Sequence, residues 1–233
     1  MEPFSFCARA ILAAASLSSL FAADVIESRH AAHDFALTAD PNSAEWKNIK
    51  GVVATKDYLG QPVHGVATEI RSRWTSGNLY LLYLCPYDEL NLKPNPSTTH
   101  ETSRLYEWDV VEAFLGSEFD HIGHYAEFEM SPQSEWVDYD IDRDHKDKGL
   151  GEAWNSGFKV LARVDAARKM WYGEMEIPFA SIDKRKPAPG LELRAGLYRC
   201  AGVNPSRVYV AWQPTGAKSF HVPSAFGILR LVK

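Results

Sequence analysis

Apolar and polar residues alternate with a period of two along most of the chain after residue 50. In 66–74, Val66, Thr68, Ile70, Ser72 and Trp74 fall on one face of an extended segment. Ser76-Gly77-Asn78 then gives a tight-turn signal, and 79–85 runs apolar and aromatic, so the two segments predict a β-hairpin with one well-buried strand. Residues 86–102 are polar, contain three prolines and predict a long loop. In 108–115, Asp109, Val111, Ala113 and Leu115 lie opposite Trp108, Val110, Glu112 and Phe114. The segment 125–130 sets Tyr125, Glu127 and Glu129 against Ala126, Phe128 and Met130, and 136–141 follows a Ser-Pro turn. A second hairpin is predicted from 158–164 and 170–177, joined by Asp165-Ala166-Ala167-Arg168. Pro178 opens a short helical turn. Segments 193–200, 207–212 and 226–232 complete a set of about ten short strands.

No long amphipathic helix interrupts this series, so the predicted fold is an all-β, antiparallel sandwich of jelly-roll or immunoglobulin-like type. The stretch 24–48 is mixed, with an Asp-Pro-Asn turn at 40–42. The last strand reaches the C-terminus, and one domain over 24–233 is expected. Composition agrees: 233 residues, 45% hydrophobic, 24% charged, with 15 Gly and 13 Pro to supply turns. A net charge of -5 argues against nucleic acid and anionic membrane surfaces, which need clustered Lys and Arg.

The N-terminus reads as an export signal. Arg9 precedes an apolar run over 10–21, followed by Ala22 and Ala23. That run is too short to span a bilayer, and its alternative is a buried N-terminal helix. Export as a secreted or periplasmic protein, with cleavage after residue 23, is therefore expected. Cleavage removes Cys7 and leaves Cys85 and Cys200. These two either form a disulfide or act as buried apolar thiols.

Five segments in register carry a family resemblance. They are Asn78-Leu79-Tyr80; the run 106–114, with its Asp109-x-Val111-Glu112; Tyr125-Ala126-Glu127-Phe128-Glu129; Met175-Glu176-Ile177-Pro178-Phe179; and Trp212-Gln213-Pro214-Thr215 with the following Phe220-His221-Val222-Pro223 and Phe226-Gly227. Together, from about Asp34 to Lys233, they resemble the family 9 carbohydrate-binding modules. The resemblance implies a β-sandwich that holds one sugar unit, often at a chain end, between two aromatic side chains. It implies plant-type polysaccharide or oligosaccharide ligands such as xylan or glucan ends, a role in extracellular carbohydrate catabolism, a polysaccharide-degrading enzyme as partner, and structural Ca²⁺. The family's clamping aromatics, usually tryptophans, fall on Tyr106 and Phe220, its glutamate on Glu112, and its arginine on Glu129, which reverses that charge.

Aromatic faces suit sugars because the axial C–H groups of a pyranose form an apolar patch, while carboxylates accept the hydroxyl protons at the ring edge. Aromatics make up 12% of the chain, and seven are Trp. Trp46, Trp74, Trp171 and Trp212 alternate with apolar positions and are expected in the core. Tyr106 at a loop-to-strand junction and Phe220 in a polar loop are expected to be exposed to ligand, with Trp108 and Trp136 in reserve.

Three other chemistries are open. Glu112 and Glu129 could act as acid and base of a glycoside hydrolase, and Glu112 is expected to be partly buried with a raised pKa. Asp138, Asp140, Asp142 and Asp144, with Asp147 beyond, imitate a Ca²⁺ loop, although His145 replaces its glycine and Gly151 its last ligand; a solvated face is the alternative. His121 and His124 invite a metal reading, and a haem-binding relative of the sandwich class casts Met130 and His221 as axial ligands. No phosphate-binding glycine loop or nucleophile elbow is present in the sequence.

Overall fold

All ten predicted strands form, with ends shifted by one or two residues, and three more join them. The structure, a computed structural model, describes residues 24–145 and 154–233. The predicted leader, and the part of the Asp run beyond His145, lie outside the described residues.

The strands build two facing layers. In the first, β8 (Trp136–Asp142), β7 (His124–Met130), β6 (Val110–Gly116) and β11 (Glu192–Ala201) pair antiparallel in that order. Strands β12 (Val208–Ala211) and β13 (Gly227–Val232) share the free edge of β11 end to end. The second layer pairs β9 (Lys159–Asp165), β10 (Met170–Pro178), β5 (Asn78–Pro86) and β4 (Thr68–Trp74), again antiparallel. β2 (Val52–Ala54) adds to β4, and β3 (Lys56–Asp57) adds to β12. Both predicted hairpins are present, as β4–β5 and β9–β10.

β1 (Val25–His30) corrects the wholly antiparallel expectation. It runs parallel to β13 over Val25–Arg29 and parallel to β4 at Arg29 and His30, so it passes from one layer to the other. Its sequence hides this role. Only Ile26 and Ser28 are buried, and the Ser28 hydroxyl is paired with Ser72 Oγ at 2.8 Å.

Alternation then sorts the side chains. Val111, Ala113, Leu115, Phe128, Met130, Leu193 and Leu197 of the first layer meet Leu79, Leu81, Tyr83, Trp171, Met175 and Ile177 of the second. This apolar interior is the main source of stability, because removing such surface from water is the dominant favourable term in folding. Each layer also has a covered outer face. Phe35, Leu37, Ala39 and Trp46 fold over Tyr80, Leu82 and Tyr172 of the second layer. Leu105, Phe220 and Phe226 fold over Val110, Phe114, Tyr125 and Tyr198 of the first.

Trp46, Trp74, Trp171 and Trp212 are all buried, as expected. Cys85 and Cys200 are free, buried thiols, and burial pushes the Cys85 thiol up to about 12. They sit in separate apolar clusters, Cys85 between the layers and Cys200 on the outer face of the first, so the disulfide alternative does not form. Among the described residues no helix is long and apolar enough to cross a membrane.

Candidate functional site

The outer face of the first layer holds a pocket of about 460 Å³. Its wall is built by segments that are remote in sequence. A 3₁₀ turn at Leu105–Glu107 precedes β6, and buried Leu105 pins it to the sheet, leaving Tyr106 outside at 48% exposure. Arg207 fixes this turn by donating to the carbonyl oxygens of Tyr106 at 2.7 Å and Trp108 at 2.6 Å. The short β3–β12 pairing brings Tyr58 beside Tyr209, whose rings meet edge-to-face at 5.2 Å. The loop after β12 returns over the sheet. Gly216 N donates to Tyr58 O at 2.8 Å, and Thr215 Oγ1 bonds Ser219 O at 2.7 Å.

That loop delivers Phe220, which stacks on Tyr198 at 4.3 Å and 6° and lies edge-to-face with Tyr58 at 6.2 Å. Phe220 lines the pocket but is only 8% exposed. This corrects the exposed position that its polar neighbours imply: the polar residues point to solvent and the ring turns inward onto Tyr198. One of its faces is covered, and only the remaining surface is available to a ligand.

The floor is acidic. Glu112 from β6 and Glu127 from β7 line the pocket at 3% and 5% exposure. Glu129, at 1%, lies two residues from Glu127 on the same face and directly opposite Glu112 in the β6–β7 register. Side chains so placed have Cβ atoms roughly 4.5–5.5 Å apart. Glu112 Oε1 accepts a weak bond from Cys200 Sγ at 3.4 Å, and Glu129 faces the Glu127 carboxyl and the Tyr106 backbone. Burial pushes the Glu112 carboxyl up to about 7 and, with the Glu112 charge beside it, the Glu127 carboxyl up to about 8. Glu129 stands well above the usual carboxylate range, through burial first and the charges of Glu112 and Glu127 second. His221 also lines the pocket, bonded through Nδ1 to Tyr125 OH at 2.8 Å, and burial lowers it to about 4.

Tyr106, Phe220 and Glu112 line one pocket. Glu129 belongs to the same cluster but stands beside the pocket and not in its lining. Trp108 follows directly on the 3₁₀ turn and is not among the residues that line the pocket. Trp136 packs against the interior core. Tyr58, Tyr209 and Glu127 were not singled out by sequence. Glu127 had a signal in its i, i+2 relation to Glu129, whereas the two tyrosines come from segments that only long-range pairing unites.

The rival chemistries find no matching geometry. A hydrolytic pair needs two carboxyls flanking a bond, with environments that push their pKa values apart. Glu112 and Glu129 are cross-strand neighbours that burial raises together, and only Glu112 lines the pocket, so the two do not flank a bond held there. Met130 points into the interior core and His221 covers the opposite face of the same layer, so they cannot ligate one iron. Asp138 accepts from Ser156 N at 2.9 Å, Asp140 pairs with His124 at 2.9 Å, and Asp142 pairs with His145 at 2.7 Å. The three carboxyls thus serve different partners. Glu118 lies 3.7 Å from His121 and 3.6 Å from His124. Among the described residues no group of three or more His, Cys, Asp or Glu side chains is placed to hold a metal ion.

A family 9 carbohydrate-binding module from Caldicellulosiruptor kristjanssonii, solved with cellotriose, superposes with a TM-score of 0.65 at 15% identity, covering 90% of this chain and 94% of that one. The same organism's module with glucose gives 0.65 at 14% identity, covering 89% and 95%. A Bacteroides uniformis ATCC 8492 chain gives 0.67 at 16% identity, covering 90% and 100%. At these identities the likeness is one of fold. No curated protein matches significantly in sequence. The model of the carbohydrate family 9 binding domain-like family matches residues 40–233, and the chain belongs to that family.

Proposed function

We propose that this protein is a non-catalytic carbohydrate-binding domain whose pocket takes one sugar unit, free or at the end of a glucan or xylan chain. The observation that carries this reading is the meeting of Tyr106, Phe220 and Glu112 over an acidic floor in a single pocket of about 460 Å³. Such a volume lies within the range of small-ligand sites, where apolar walls and a few convergent polar groups fix the ligand's orientation. Tyr106, half exposed, covers one sugar face; Phe220, Tyr58 and Tyr209 form the opposite wall; Glu112 and Glu127 face the hydroxyls. The fold-level likeness to modules solved with cellotriose and glucose supports a glucose-type ligand.

The apolar leader and family membership support secretion or periplasmic residence, a role in extracellular polysaccharide use, and service to a degrading enzyme. Structural Ca²⁺ remains part of this reading, with its ligands unassigned. Calorimetric titration with glucose, cellotriose and xylo-oligosaccharides, with and without Ca²⁺, tests the proposal. Saturable heat with no product formed is expected. Silence towards all of these ligands, or release of shorter sugars, overturns it.

A further inference from the structure

Three buried glutamates form the floor of the pocket and its margin, and this exceeds what hydroxyl recognition requires. Glu112, Glu127 and Glu129 stand on one face of β6 and β7 without a Lys or Arg partner among the described residues. Glu129 is the most deeply buried of the three, at 1% exposure, and faces the Glu127 carboxyl and the Tyr106 backbone, neither of which brings a positive charge. A carboxyl so placed must keep its proton or acquire a cation, because an uncompensated buried charge is costly.

Among the described residues the one basic group within ion-pair distance of the cluster is a histidine. His221 Nε2 lies 4.0 Å from Glu127 Oε2, but its imidazole is held neutral by burial and by the nearby charge of Arg143. Arg207 donates to the carbonyl oxygens of Tyr106, Trp108 and Gly202, and its charge favours ionised Glu112 without forming an ion pair with it. Lys218 is exposed at the pocket rim. The phenols of Tyr125 and Tyr198 and the Cys200 thiol also face the cluster; burial raises all three, so they stay protonated at neutral pH. The cluster therefore holds protons that an entering ammonium could displace.

The walls suit such a group as well. Tyr58, Tyr209 and Phe220 lie mutually tilted or edge-to-face, with ring centroids 5.2 to 6.2 Å apart. Aromatic rings grouped around a desolvated cation attract it through their quadrupoles, and carboxylates add charge-assisted hydrogen bonds.

We propose that the pocket prefers an amino sugar, bearing a free protonated amine, to the corresponding neutral sugar, with the ammonium seated against Glu112 and Glu127 inside the Tyr58–Tyr209–Phe220 wall. The inference rests on the sugar-binding reading of the same pocket and names the ligand class. On binding, a carboxyl of the cluster gives up its proton to solvent and becomes the counter-ion of the amine.

The test is calorimetry of the full chain with D-glucose, D-glucosamine and N-acetyl-D-glucosamine at about pH 6.5, where burial keeps the cluster protonated. Each titration is run in two buffers of different ionisation enthalpy. Glucosamine is expected to bind roughly tenfold tighter than either neutral sugar, with proton release visible as a buffer-dependent heat. Glu129→Gln should narrow that ratio; if this variant does not fold, Glu127→Gln reads the same quantity. Equal affinity for glucose and glucosamine overturns the amino-sugar inference and leaves the sugar-binding reading standing. N-acetylglucosamine binding as well as glucosamine also overturns it, since the amide carries no charge. Glucosamine bound with glucose silent supports the inference and overturns the neutral-glucan ligand. Silence towards all three overturns both readings.

Discussion

The two outer faces of the sandwich each bury glutamates, and they treat them in opposite ways. On the second layer, Glu174 is fully enclosed beneath the segment 35–49. Its Oε2 accepts from Thr38 N at 2.7 Å and Ala39 N at 2.6 Å, and its Oε1 accepts from Trp46 Nε1 at 2.7 Å. Burial raises this carboxyl, but the three donors pull it back, and Phe35 stacked on Tyr80 at 3.9 Å helps to close the cover. On the first layer, Glu112 accepts a weak bond from Cys200, Glu127 and Glu129 face each other, and the cover stops short, leaving a pocket. The same residue type, on the same outward side of a strand, is a staple in one place and a poised acceptor in the other. Hydrogen-bond satisfaction separates the two roles, since a filled carboxyl holds the chain together and an unfilled one has capacity left for a ligand.

The largest test of this contrast is Glu174→Ala. It leaves three donors without their acceptor, and about 3 kcal/mol or more of unfolding free energy should be lost in urea titration. Sugar binding by the remaining folded protein should be unaffected, because Glu174 lies on the far face. An unchanged urea midpoint would mean that the cover is held by its apolar contacts alone.

Smaller effects are expected at the pocket. Tyr106→Ala and Phe220→Ala should each weaken sugar binding by about 1–3 kcal/mol. They should part company in stability. Exposed Tyr106 can be truncated within about 0.5 kcal/mol, whereas removing Phe220 from its stack on Tyr198 should also lower the melting temperature. If both variants bind a confirmed ligand like the parent, the aromatic walls are not the recognition surface.

The acidic floor predicts a pH signature. Glu127 is raised to about 8 in the folded state, above its ordinary value, so the protonated form is favoured by folding. Its stabilising contribution is complete below about pH 4.5 and is lost as pH rises towards 8. Glu127→Gln removes that loss, and its stability relative to the parent should climb by about 1 kcal/mol or more between pH 5 and pH 8. A flat difference between the two denaturation series would place Glu127 in solvent. The smallest effect is expected from Trp108→Phe, which should change binding by less than about 0.5 kcal/mol because the indole lies outside the pocket.

The strands that were legible in the sequence are those whose alternation is driven by burial on one face, such as Val111, Ala113 and Leu115 of β6. β1 was not, because Glu27, Arg29 and His30 leave only Ile26 and Ser28 to mark an inward face. β2 and β3 are too short to show a period. The same limit applies to the site. The shared pocket lining of Tyr106, Glu112 and Phe220 was suggested only by the family pattern, and the Tyr125-Glu127-Glu129 face was visible as alternation. The 3₁₀ turn just before β6 was not visible in the sequence, and Trp108, which follows it, does not line the pocket.

By itself the sequence determined the periodicity, the turns and hence which side chains share a face, since these follow from the local geometry of an extended backbone. Only the tertiary structure decided which faces are covered and what meets across them. The β3–β12 pairing sets Tyr58 beside Tyr209, the loop after β12 folds Phe220 onto Tyr198, and the β6–β7 register sets Glu112 opposite Glu129. These are contacts between distant segments, and the burial they create, which raises the three carboxyls, is a property of the assembled layers that no local stretch of chain carries.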